Sequence, residues 1–109
     1  MSTTVLRQVA GRLLEYKIVL RVEFLGTKVR AHLPKGFTFD IYYNETTAKY
    51  SYTIFKEGRR ILGWDNARHH IQVSTHPHHY HAINGRVLNS RMKGVPLLDL
   101  ENISKELSL

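Results

Sequence analysis

This chain of 109 residues contains no cysteine. Disulfide staples and thiolate metal sites are therefore excluded, and nothing points to secretion. No apolar run approaches the roughly 20 residues needed to cross a bilayer as a helix. The start lacks the pattern of a signal peptide, which predicts a cytoplasmic protein with no membrane partner. Acids are scarce: nine Asp and Glu stand against sixteen Lys and Arg, a formal net charge of +7. No internal repeat, low-complexity tract or linker divides the chain. The simplest organisation is one domain over 1–109, long enough to bury roughly two-thirds of the surface of the unfolded chain.

What the sequence has in excess is histidine, concentrated in one place. The stretch from Trp64 to His81, WDNARHHIQVSTHPHHYH, holds six of the seven: His69, His70, His76, His78, His79 and His81. Imidazole titrates near working pH, so it can move a proton or bind a metal. The alternative is a solvated loop that happens to be His-rich. Positive charge gathers in the same region. Between Arg59 and Lys93 there are six bases, Arg59, Arg60, Arg68, Arg86, Arg91 and Lys93, against the single acid Asp65. Past Gly94 the sign reverses. A polyanion such as RNA would gain affinity over the basic segment by releasing counterions.

Periodicity predicts an α+β fold. Val5, Leu6, Val9 and Leu13 have helical spacing, interrupted by Gly11. Tyr16, Ile18, Leu20, Val22 and Phe24 alternate as a half-buried strand, and Gly26-Thr27 suits a hairpin turn. Val29, Ala31 and Leu33 return; Phe37, Phe39, Ile41 and Tyr43 follow after Pro34-Lys35-Gly36, with Asp40 outward. Tyr50, Tyr52 and Ile54 lie on the next strand, and Arg60 to Asn66 on a fifth. Val87-Leu88 suits a short edge strand. Leu97, Leu100, Ile103 and Leu107 recur as a terminal helix with Asp99 as its N-cap. The expectation is an antiparallel meander of five to six strands with flanking N- and C-terminal helices. Tyr50, Tyr52 and Trp64 are expected in the core; Tyr42 and Tyr43 are not assigned. His32 is read as structural or surface.

Two chemistries compete for the histidines. The first is metal-independent general acid–base cleavage of RNA, with no cofactor. It needs a base for the 2′-hydroxyl, an acid for the departing 5′-oxygen and cations over the phosphorane. His79 and His81 share strand parity and His70 is the third member; Asp65 either orients a ring through its N–H or simply forms a turn. Arg59, Arg60, Arg68 and Arg86 are the candidate RNA-binding cations. The second chemistry is metal binding, zinc for example, by His69, His76, His78 and His79, with Asp65 as an extra ligand. On an extended chain His76 and His78 face one way and His79 and His81 the other, so convergence needs a bend, which Pro77 can supply. A non-catalytic RNA- or partner-binding module is the third reading, and a homodimer is left open.

Gly63-Trp64-Asp65-Asn66-Ala67, then His69-His70, then Thr75, Pro77-His78-His79 and His81 resemble the signature of the TumE family, toxin components of prokaryotic toxin–antitoxin pairs. That signature runs D-N-A-P-H-H and then T-F-P-H-H-K-H. Here Arg68 replaces its proline, His76 its phenylalanine and Tyr80 its lysine, which removes one cation while Arg68 adds another nearby. The resemblance implies a small growth-inhibiting toxin, a RelE-like endoribonuclease neutralised by a helix-turn-helix antitoxin. It assigns no residue roles.

Overall fold

The structure, a computed structural model, describes residues 4–109. The start of the chain, where a leader would stand, lies partly outside them. Helix α1 (Thr4–Leu13) leads into a seven-stranded sheet: β1 (Arg21–Phe24), β2 (Lys28–His32), β3 (Phe37–Asn44), β4 (Lys49–Lys56), β5 (Arg59–Asp65), β6 (His79–His81) and β7 (Val87–Asn89). Helix α2 (Pro96–Leu107) closes the chain. The spatial order is the sequence order and every pairing is antiparallel, so the sheet is the expected meander with a higher strand count.

Alternation splits the sheet into two faces. Val29, Ala31, Phe39, Ile41, Tyr50, Tyr52, Ile54 and Trp64 are buried together with Leu6, Val9 and Leu13 of α1 and Leu100 and Ile103 of α2. These apolar stripes recur every three or four residues and give each helix one face to bury. Both helices therefore cover one side of the sheet. Among the described residues no helix is long and apolar enough to cross a membrane.

The opposite face is polar and can be read row by row from the register. Asp65 pairs with His79 on one side and Ser51 on the other, and Ser51 with Tyr42. Gly63 pairs with His81 and Thr53, Thr53 with Asp40, and Asp40 with Arg30. A register shift between Ile54 and Phe55 puts Arg60 opposite Phe55, so Arg60 rejoins this same face.

Three local expectations are corrected. The strand expected from Tyr16 starts only at Arg21, because residues 14–19 continue from α1 in turns: Tyr16 N–H donates to Leu13 O and Val19 N–H to Tyr16 O. Ile18 and Leu20 are exposed, so their alternation marks no buried face. Asp99 is not an N-cap. Val95 occupies that place, and Pro96, whose fixed φ and missing N–H suit the first turn, begins the helix. The Asp99 carboxylate is instead wholly buried, accepting from Lys93 N–H, Gly94 N–H and the Tyr52 hydroxyl. Asp40 does point away from the apolar core, yet it is buried under Arg30, which donates twice at 2.8 and 2.9 Å, and Lys28 at 3.2 Å.

Candidate active site

The site forms where β5 and β6 meet on the open face. Trp64 turns into the core beside Tyr80, with ring centroids 5.1 Å apart, and strand parity then sends its neighbours Gly63 and Asp65 outward. Parity does the same for His79 and His81 on the short β6. A Cβ built on Gly63 would stand 2.9 Å from Tyr52 O, so the strand carries no side chain at the position facing His81. Glycine inside a strand commonly marks such a close approach, and that signal was available in the sequence.

His79 is completely buried. Its Nδ1–H donates to Pro77 O at 3.0 Å; a carbonyl only accepts, so the proton is fixed on Nδ1 and Nε2 is turned to the cluster. That Nε2 lies 2.9 Å from Asp65 Oδ1 and 3.1 Å from His81 Nε2. His81 Nε2 in turn lies 3.2 Å from Asp65 Oδ2. Ala67 N–H donates to Asp65 Oδ1 at 2.9 Å, holding the carboxylate as the chain leaves β5. His70 comes from the following loop, its ring 4.5 Å from that of His79 and 5.4 Å from that of His81. His69 packs against His70, the ring centroids 4.0 Å apart and the planes tilted by 48°.

Burial, with His69 and His79 nearby, holds the His70 pKa below the ordinary imidazole value. Burial also lowers His81; Arg60, His79 and His70 add to this, and they outweigh the opposing pull of Asp65. Both rings are therefore neutral at neutral pH and present lone pairs.

The structure thus brings together His70, His79, His81 and Asp65, the four residues named as catalytic from the sequence. Asp65 faces the rings as well as serving the turn through Ala67. The quartet considered for zinc, His69, His76, His78 and His79, is dispersed. His76 Nε2 bonds Arg68 O, and His78 Nδ1 pairs with the Tyr50 hydroxyl at 2.8 Å on the core side. Among the described residues the set whose ring nitrogens converge, all within 4.8 Å of one another, is His70, His79 and His81.

An open cleft of about 500 Å3 runs from Asp65 across the sheet, lined among others by Tyr42, Lys49, Ser51, Asn66 and Arg68. Asn66 shapes one wall: its Oδ1 accepts from Tyr50 N–H and its Nδ2 donates to Ala48 O. Of the four candidate arginines, Arg68 lines this cleft and Arg60 is close enough to act on His81. Arg59 lies at the far end of β5 and Arg86 in the exposed turn between β6 and β7. Tyr42 belongs to the cleft, whereas Tyr43 packs against the core. Sequence reasoning missed Lys49 and Ser51; Ser51 is revealed by its register with Asp65 and Lys49 by its place in the cleft.

A family model described as Toxin TumE matches residues 7–102 of the chain. No curated protein and no solved structure gives a significant match.

Proposed function

This chain belongs to the TumE toxin family, and from that premise we propose that it acts as an endoribonuclease at the His70–His79–His81–Asp65 site. As a toxin component it has an antitoxin for a partner. The observation that carries the ribonuclease reading is the position of the cluster. Asp65, whose carboxylate stands 2.9 Å from His79 and 3.2 Å from His81, lines a cleft that also offers an aromatic face, Tyr42, and the cations Lys49 and Arg68. A single-stranded RNA needs those features: stacking for a base, positive charge for the backbone and proton-transferring groups beside a phosphate.

The reaction is attack of a ribose 2′-oxygen on the adjacent phosphorus. The 2′-hydroxyl loses its proton, the P–O5′ bond breaks, and the 5′-oxygen leaves with a proton. The products are a 2′,3′-cyclic phosphate and a 5′-hydroxyl. Attacking and departing oxygens lie on opposite sides of phosphorus. The partly exposed His81 serves one of those two poles, and the buried His79, its Nε2 3.1 Å from that of His81, positions it. The proton at the other pole falls to His69, and the cationic Arg60 and Arg68 face the charge that builds on the phosphorane.

The partner is proposed to be a helix-turn-helix protein, supported by the family resemblance. RNA incubated with purified toxin, followed by end-group analysis, tests the reading. Cyclic-phosphate ends that vanish on adding stoichiometric antitoxin support it; RNA left intact by folded toxin rejects it.

A further inference from the structure

The three closest approaches in the cluster gather two ring nitrogens and a carboxylate at one place. With its Nδ1–H donating to Pro77 O, His79 turns Nε2 toward Asp65 Oδ1 at 2.9 Å and toward His81 Nε2 at 3.1 Å. His81 Nε2 faces Asp65 Oδ2 at 3.2 Å. Two ring nitrogens and a carboxylate that meet in this way suit a shared cation between them.

The spacing identifies its nature. Ligand atoms held about 2.0–2.2 Å from a first-row metal ion stand roughly 2.9–3.5 Å from one another. The two ring nitrogens are 3.1 Å apart, each has its own Asp65 oxygen at 2.9 or 3.2 Å, and a nitrogen of His70 lies within 4.8 Å of those of His79 and His81. We propose that His70, His79, His81 and Asp65 hold one divalent transition-metal ion of the zinc class.

The surroundings are those of a ligand set. Metal-bound histidines commonly donate their other N–H to a carbonyl or carboxylate, which orients the ring and raises its basicity; His79 does so to Pro77 O. The Ala67 N–H donates to Asp65 Oδ1, the oxygen that also faces His79, while Oδ2 faces His81. Imidazole nitrogens select zinc and its first-row neighbours over magnesium or calcium, which take oxygen ligands. His81 and Asp65 are partly exposed on the open face, at 16% and 21%, so an ion can enter from the cleft side. This deepens the ribonuclease reading and rests on it only for the use of the ion. There the ion would supply Lewis-acid charge at the pole of the phosphodiester that the imidazoles face.

The experiment uses the full chain without a polyhistidine tag, loaded with Zn2+, desalted and subjected to elemental analysis, with Co2+ as a spectroscopic probe. About one ion per chain is expected, together with a rise in melting temperature on loading. His70→Ala and Asp65→Asn should each lose affinity by about 10-fold or more, and His81→Ala likewise where circular dichroism shows it folded. His69→Ala and His76→Ala should retain the ion. Folded wild type that keeps no metal overturns the inference, as does a His70→Ala/His81→Ala double variant that keeps as much as wild type. Cleavage of RNA by chelator-stripped, metal-free protein overturns the use of the ion in cleavage and leaves the ribonuclease reading standing. A bound ion with untouched RNA does the reverse.

Discussion

Asp65 on β5 and His79 on β6 are register partners, and the carboxylate of the first stands 2.9 Å from Nε2 of the second. A three-residue strand thus places the buried ring against the one acid in a basic segment. The pairing makes the Asp65–His79–His81 part of the site a product of sheet register, to which the following loop adds His70. A shift of one residue in β6 would turn His79 and His81 to the core side and dissolve the cluster.

Asp65→Asn keeps the shape and can still accept from Ala67 N–H, but it removes the charge facing both rings. RNA cleavage and growth inhibition are expected to fall roughly 100-fold while the melting temperature moves by only a few degrees. Single-turnover cleavage beside a thermal melt checks both. Activity within a few-fold of wild type would remove Asp65 from the site.

Tyr52→Phe deletes one of three donors to the buried Asp99 carboxylate. Leaving that acceptor short costs about 1–3 kcal/mol of stability. Urea unfolding should show the loss with an unchanged slope, and cleavage should persist, because this network lies on the helix-covered side of the sheet. Burial raises the Tyr52 hydroxyl far above its ordinary pKa, aided by Asp99, so the group is a donor throughout the working range.

Asp40 supplies a pH signature distinct from that of the histidines. Burial raises its pKa, but the Arg30 and Lys28 bonds outweigh this, and the folded value lies below the ordinary carboxylate range. A folded pKa below the unfolded one means stability that is fully present above about pH 4–5 and lost as pH falls through the folded value. Unfolding free energies of wild type and Asp40→Asn, measured from pH 7 down to pH 3, should therefore converge toward acid. A constant difference would show that Asp40 contributes by packing alone.

The histidine cluster was legible because imidazoles are dense within a few turns of chain and because His79 and His81 share parity. Asp65, His70, His79 and His81 could be named from that density, from parity and from the only acid in the region. The convergence itself was not legible. It depends on β6, a strand too short and too polar to register as one, and on a loop that returns His70 over it. His76 and His78 look equivalent to the others in sequence; only the fold gives them to Arg68 O and to the Tyr50 hydroxyl. Alternation also misled once: Tyr16 to Leu20 has the period of a strand but follows a helix end whose turns capture its N–H groups.

Arg68 lines the cleft and Arg60 acts on His81, and neither makes an ion pair among the described residues. Each is expected to contact one phosphate of a single strand. Arg68→Ala and Arg60→Ala should each weaken binding of a non-cleavable RNA and reduce the log–log salt slope by about 0.7. Titrations at several salt concentrations measure this. Arg59→Ala, at the far end of β5, serves as the comparison and should leave the slope unchanged.

The most direct test compares wild type, His70→Ala and His81→Ala on one labelled single-stranded RNA, with folding verified for each. Wild type is expected to yield fragments ending in 2′,3′-cyclic phosphate, and each variant to lose at least about 100-fold in rate. RNA that survives folded wild type intact, or that both variants cut at the wild-type rate, would contradict the assignment of this site.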